Sequence, residues 1–228
     1  MRVVFERKQE LLPDIWEFYF RPERPLDYIP GQYVDLRLPQ AHADKRGTSR
    51  TFTLTSLPDE PLTSFAVKIE LPCSTYKQVL QALQPGDTAT VTDAMGDVVL
   101  PKDPDVPLVF VAGGLGIASF VSITRWLTKR KEQRTITLLY AVRNKRDILF
   151  EEIFNAYQFP IKKTLFTADG EPIRISAALI AEQLVPDSLL YISGSEHFVE
   201  SLRQELQRDF GVPNEKIIYD FFDGYSEL

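Results

Sequence analysis

Arg50-Thr51-Phe52-Thr53-Leu54-Thr55-Ser56 is the stretch on which the reading of this chain turns. Its side chains alternate, Phe52 and Leu54 to one side and Thr51, Thr53 and Thr55 to the other, which is the period of a strand. Phe and Thr both suit a pleated surface, so the pattern predicts a strand with a wet, threonine-lined face. Arg50 adds chemistry at its start, because a guanidinium is a planar fork of donors that matches phosphate oxygens. Phe52 offers a ring to lie against a flat ligand. Thr53 offers a hydroxyl for that ligand's edge. Phosphate clamp, ring platform and edge donor along one strand suit a flavin nucleotide.

Around that strand, residues 1–100 read as all-β. Val3–Phe5, Ile15–Phe20, Tyr33–Leu38, Phe65–Leu71 and Thr88–Val91 are short runs rich in β-branched and aromatic residues, separated by turn formers such as Pro13-Asp14 and Pro30-Gly31. With the Arg50 strand they predict a six-stranded antiparallel barrel. The loop at 44–49 carries Lys45 and Arg46, which read as a solvated loop or as help for a phosphate. One helix interrupts the strands. Cys73-Ser74-Thr75 caps it, and Tyr76, Val79, Leu80 and Leu83 supply its apolar face. A helix start is an anion site, so Ser74, Thr75 and Lys77 form either a phosphate site or a plain cap.

The pattern changes at Pro101-Lys102-Asp103-Pro104-Asp105, the candidate boundary between a 1–102 domain and a 103–228 domain. Beyond it apolar runs alternate with helical patterns, predicting a five-stranded parallel, Rossmann-like α/β sheet. Leu108–Ala112 is continuously apolar, as in a strand buried on both faces. Gly113-Gly114-Leu115-Gly116 then opens a helix from Ile117 to Lys131. Such a turn either cradles a phosphate or packs tightly. Arg143, Lys145 and Arg146 follow the next strand, where they suit a nucleotide 2′-phosphate or a solvated turn; Arg174 is a second candidate and Asp169 argues the other way. Gly194, in Ser193-Gly194-Ser195, fits close backbone approach to a ligand, and His197 reads as a first-turn surface residue. The aromatic tail, Asp220-Phe221-Phe222-Asp223-Gly224-Tyr225, is too apolar for a free end.

These motifs, in this order, resemble the ferredoxin–NADP reductase-like flavoproteins over almost the whole chain. Arg50, Phe52, Thr53 and Ser56 stand where that family has Arg-x-Tyr-Ser-x-x-Ser. The resemblance implies that Arg50 binds the flavin pyrophosphate, that Phe52 packs on the isoalloxazine without the phenol hydrogen bond, and that Thr53 bonds near flavin N5. It also carries Thr51, Lys68 and Ile69 into the cofactor site, and makes Ser74, Thr75 and Lys77 a substitute for the family's Gly-x-x-Ser. Gly113, Gly114, Gly116 and Ile117 match Gly-Gly-x-Gly-Ile-Thr-Pro, with Ala118-Ser119 replacing Thr-Pro. Tyr140, Arg143, Asp147 and Phe150 match the family's Tyr-x-x-Arg-x-x-x-Asp-x-x-Phe, Asp147 starting the helix. Ser193 and Gly194 stand at Cys-Gly-Pro, beside the nicotinamide. A terminal aromatic, Phe222 or Tyr225, is expected to cover the flavin. Asp93–Asp97 resembles the family's Gly-Pro-x-Gly turn and is assigned no chemistry.

Composition narrows the function classes. The chain has 228 residues, 44% hydrophobic and 25% charged, and a net charge of −6, which disfavours nucleic acid as partner. One cysteine, Cys73, leaves no iron–sulfur cluster within the chain, and two histidines make a zinc site improbable. Without a membrane span of ~18 apolar residues or a signal peptide, a cytoplasmic protein is expected. The expected function is passage of electrons from NADPH or NADH through FAD to a one-electron carrier such as ferredoxin or flavodoxin. Arg143 tilts the donor toward NADPH. The alternatives are an electron-transfer subunit of a larger oxidoreductase and a non-catalytic flavin-binding module. Arg125, Lys129, Arg130 and Lys131 read as complementing their helix dipole rather than as a docking patch.

Overall fold

The structure, a computed structural model, describes residues 1–39, 47–157, 161–167 and 175–222, leaving aside the side chains of 161–167 and 222. The chain divides into two units, the first Met1–Val99 and the second from Leu100 onward. Lys45, Arg46, Asp169, Arg174, Tyr225 and the ring of Phe222 lie outside the described residues.

In the first unit, β1 (Arg2–Leu12), β2 (Ile15–Pro22), β3 (Tyr33–Arg37), β4 (Ser49–Thr53), β5 (Thr63–Lys68) and β6 (Thr88–Val91) form one antiparallel sheet in the order β4-β3-β6-β1-β2-β5. Inward-facing rings fill it: Phe5, Phe18, Phe20 and Phe65 are each at most 2% exposed. The sheet curls until its edges meet. Phe52 of β4 stacks on Phe65 of β5 with centroids 4.3 Å apart and planes 11° from parallel. The Thr55 N–H donates to the Ser64 carbonyl at 2.8 Å. The expected six-stranded barrel is therefore present, its two end strands brought together at this seam.

Two details of the Arg50 strand differ from expectation. The strand ends at Thr53 instead of running to Ser56. The wet threonine face is Thr51 alone, because Thr53 and Thr55 are 4% and 0% exposed. The cause lies at the barrel seam, where the chain leaves the β3 ladder. The Leu54 N–H donates to Gln32 at 3.0 Å, and Thr55 turns its hydroxyl onto the Glu17 carboxylate of β2 at 2.5 Å. Ser64 donates to the same carboxylate oxygen at 3.0 Å and Tyr19 to the other at 2.5 Å. Glu17 is 7% exposed, and a carboxylate is stable there because hydroxyls replace its water. α1 (Thr75–Ala82) lies between β5 and β6, capped by Ser74.

In the second unit, β7 (Leu108–Gly113), β8 (Ile136–Val142), β9 (Ile161–Thr167), β10 (Leu189–Ser195) and β11 (Ile217–Phe222) form a parallel sheet ordered β11-β10-β7-β8-β9. The helices are α2 (Ala118–Arg130), α3 (Glu151–Ala156), α4 (Ala177–Ala181) and α5 (Glu196–Phe210). The sheet is covered on both faces, which is why its strands read as unbroken apolar runs. On one face Phe110 stacks on Phe120 of α2 at 4.4 Å. On the other, Val109, Val111 and Ile192 pack against Ile180 of α4 and Val199, Leu202 and Leu206 of α5. The strand order reverses between β7 and β10, and open α/β sheets bind ligands outside the carboxyl ends of the strands at such a point.

The Pro/Asp stretch at 101–105 belongs to the second unit and is tied down by Arg134, 5% exposed. Its guanidinium donates to the carbonyls of Asp103 at 2.6 Å and Pro101 at 3.1 Å and pairs with Glu132 at 2.6 Å. Asp147 does not start a helix. It closes a capping box with Asn144 around the 3-10 turn Lys145–Asp147, and α3 begins only at Glu151, after Phe150 turns left-handed at φ 56°. Leu149 and Phe150 are buried.

Candidate functional site

Each unit holds its own group of candidate residues. In the first unit its centre is Arg50. The guanidinium lies 4.9 Å from the ring centre of Tyr76, in the first turn of α1, and donates to the carbonyls of Ser49 at 2.6 Å and Gly47 at 3.3 Å. Tyr76 is 0% exposed and anchored by donation to the Leu36 carbonyl at 2.8 Å; burial pushes its phenol far above the ordinary range. The half-buried Arg50 cation is thus placed beside the start of α1, where backbone N–H groups and the helix dipole favour an anion. Ser74 accepts from the Lys77 N–H at 3.4 Å, and Thr75 is exposed at the same helix start. A cation beside a helix N-terminus fits the pyrophosphate of FAD.

The flavin-ring end of the expected site needs correction. Phe52 is not an open platform. It is 9% exposed and spent on Phe65, because β4 pairs it with Val34 and closure of the barrel brings β5 against it. Ile69 is a core residue at 6% exposure, so only its backbone is left for a ligand. Lys77 donates its ammonium to the Lys68 carbonyl at 2.6 Å, and Lys68 pairs with Glu70 at 2.6 Å. The Thr51 hydroxyl donates to Asp35 at 2.7 Å. Thr53 stays at the strand end, nearly buried. A cavity of about 480 Å³ beside β3, β4 and β6, lined by Asp35, Arg37, Ser49 and Thr92, includes neither Arg50 nor Phe52.

In the second unit the glycines divide their work. Gly116 is required by protein packing, since a Cβ there would meet the Ser193 carbonyl oxygen at 2.2 Å. Gly113 and Gly194 seat the Phe198 ring, which a Cβ would meet at 3.2 and 2.8 Å. Gly114 alone of the turn is exposed, with φ 54° and open space where its Cβ would lie. It opens the 3-10 turn Gly114–Ile117 that leads into α2. An anion at Gly114 therefore meets a helical N-terminus and unobstructed backbone. Arg143, exposed, follows β8 on one side of this turn.

Ser193, expected beside a nicotinamide, is buried together with Ser119. Ser119 and Ser193 are each 0% exposed, with hydroxyls 3.0 Å apart. Ser119 also donates to Asp220 of β11 at 3.1 Å. A hydroxyl carries one proton, so Ser193 donates to Ser119, and the network ties α2 to β10 and β11. The Ile117 side chain is likewise core, at 0% exposure. Sequence reasoning missed Phe198 and Glu17. Phe198 is indistinguishable by spacing from a core residue of α5; Glu17 is a lone carboxylate in an apolar strand, a signal that was there to use.

Lys129–Lys131 sit at the far end of α2, about 20 Å from the glycine turn at 1.5 Å per residue, and Arg125 lies about 14 Å from it. Lys129 and Arg130, in the last turn, complement the helix dipole. Among the described residues no group of metal-ligating side chains gathers, and no helix is long and apolar enough to cross a membrane.

Comparison with known proteins agrees with this geometry. Residues 110–204 match the oxidoreductase NAD-binding domain. Flavohemoprotein A of Dictyostelium discoideum is 25% identical over 236 residues, covering 96% of this chain and 59% of that protein. Terephthalate 1,2-dioxygenase reductase component 1 of Comamonas sp is 26% identical over 203 residues, covering 84% of this chain and 58% of its own. The ferredoxin NADP+ reductase of Neisseria gonorrhoeae, solved with FAD and NADP, superposes with a TM-score of 0.78 at 19% identity, covering 97% of this chain and 98% of its own. This chain spans about three fifths of the length of the curated relatives it matches. It has the ferredoxin–NADP reductase-like fold, and most of its second unit matches the oxidoreductase NAD-binding domain.

Proposed function

We propose that this chain, with its reductase-like fold, is an FAD-dependent NAD(P)H oxidoreductase that hands electrons on to a one-electron carrier. The observation that carries this is that each unit holds a candidate anion site: Arg50 beside the first turn of α1 in one, and the open Gly114 turn at the strand-order reversal in the other. Each suits the pyrophosphate of a dinucleotide. FAD, when bound, would supply the redox chemistry, hydride acceptance from a reduced nicotinamide and single-electron release.

The residues divide the remaining work. Arg50 and the N–H groups of α1 hold the flavin pyrophosphate, with Ser74 and Thr75 at the same helix start. Thr53 is the candidate donor toward the flavin edge. Gly114 receives the nicotinamide-nucleotide pyrophosphate. Arg143 favours the 2′-phosphate of NADPH. Hydride delivery needs no general acid or base, and no residue is assigned that role. Phe222 and Tyr225 stay candidates to cover the flavin. The test is FAD titration of the purified chain followed by anaerobic addition of each nucleotide.

The redox partner is proposed as a small soluble carrier. A second reading, an electron-transfer component serving a separate oxidoreductase, is favoured by the likeness to a dioxygenase reductase component. A tight stoichiometric complex on copurification would support it. The proposed location is the cytoplasm.

A further inference from the structure

The carboxyl ends of β7 and β10 are bridged by an aromatic ring that none of the motifs includes. Phe198 stands in the first turn of α5, three residues after the Ser195 cap. Its ring rests on backbone: a Cβ on Gly194 would lie 2.8 Å from the ring, and one on Gly113 would lie 3.2 Å from it. One side packs against the core cluster of β7, β10 and α5, and the residue keeps part of its surface exposed. A ring seated on two glycines cannot sink deeper, and its seat fixes where its free surface stands.

We propose that Phe198 is the wall on which the nicotinamide ring of the dinucleotide packs. The inference rests on the nucleotide function argued above and follows from strand order. Arg143 ends β8, Gly114 ends β7, and Phe198 stands at the end of β10, in the sheet order β8-β7-β10. A dinucleotide with its adenosine 2′-phosphate at Arg143 and its pyrophosphate at Gly114 extends its other half over β10. The group waiting there is flat and apolar, which suits a planar ring. Gly113 and Gly194 then serve the ligand indirectly, by leaving room for Phe198.

The test compares ligands that differ only in the nicotinamide. NADP+ and NAD+ are titrated against 2′-phospho-ADP-ribose and ADP-ribose, by calorimetry on the purified full chain, so that no turnover is needed. The variants are Phe198→Leu, which keeps apolar volume but loses the flat face, and Phe198→Tyr, which keeps the ring. Expected is a loss of about 3- to 10-fold in dinucleotide affinity for Phe198→Leu, with the ADP-ribose ligands unchanged and Phe198→Tyr close to the parent. Equal affinities in Phe198→Leu and the parent for every ligand would overturn the proposal. So would a parallel loss for all ligands, which would make the ring a structural support. Binding of no ligand by the unaltered chain would instead remove the nucleotide function itself, and the proposal with it.

Discussion

Arg50 lays its guanidinium carbon 4.9 Å from the centre of the Tyr76 ring, so one strand and one helix start share a cation. The stacked, forked donor set is specific to arginine. Arg50→Ala is expected to weaken FAD binding by about 10- to 100-fold, the worth of a charge-assisted hydrogen bond or two. Arg50→Lys recovers only part of it, because an ammonium can neither stack nor fork. Fluorescence titration with FAD reads both. Affinity equal to the parent in Arg50→Ala would take the flavin phosphate away from this strand.

Gly114 and Gly116 are two residues apart and should fail differently. Gly116→Ala drives a Cβ into the Ser193 carbonyl and should cost about 3 kcal/mol of stability, since backbone must move. Gly114→Ala meets no atom but holds a left-handed conformation at φ 54°, costing about 1 kcal/mol. Its larger effect should be on nucleotide affinity, because the methyl group occupies the ligand's approach. Urea unfolding paired with nucleotide titration separates the two.

The barrel seam is pH-sensitive through Tyr19. Burial first, then its hydrogen bond to Glu17, raises the phenol from 10.0 to about 12. The neutral phenol can donate to the carboxylate; the phenolate cannot, and adds a second negative charge beside it. The stabilisation is therefore complete below pH 10 and lost as pH rises toward about 12. Tyr19→Phe should flatten that part of the alkaline stability loss, leaving the share due to Tyr76, Tyr140 and Tyr191, whose phenols burial also raises. Glu17→Ala, which removes the acceptor shared by Thr55, Ser64 and Tyr19, should cost about 3 kcal/mol at neutral pH. Denaturant midpoints across pH for the parent and both variants check these signs.

Arg143 is exposed beside the turn and has a narrow task. Arg143→Ala should weaken NADPH by about tenfold while leaving NADH nearly unchanged. Equal losses for both donors would move the residue off the 2′-phosphate.

Much of this was legible because local signals agreed with the tertiary structure. α5 runs Glu196–Phe210 as its pattern predicts, since Ser195 caps its start and Gly211 turns left-handed at its end. β6 is Thr88–Val91 as its β-branched run predicts. The misreadings arise where a distant partner decides. Nothing within residues 50–56 says that Thr55 will turn onto Glu17 and end the strand, or that Phe52 will find Phe65 across the seam. Phe150 in a left-handed conformation delays α3 to Glu151, where Asp147 reads as its start. The glycines were identified, but three of those at the strand-order reversal answer to protein atoms, and spacing cannot tell those atoms from a ligand's.

The most direct measurement is the visible spectrum of the FAD-reconstituted protein under anaerobic addition of NADPH and, separately, NADH. A yellow protein whose flavin bands bleach, faster with NADPH, is the predicted result. A colourless protein that will not take up FAD, or flavin bands that neither nucleotide bleaches, would contradict the central claim.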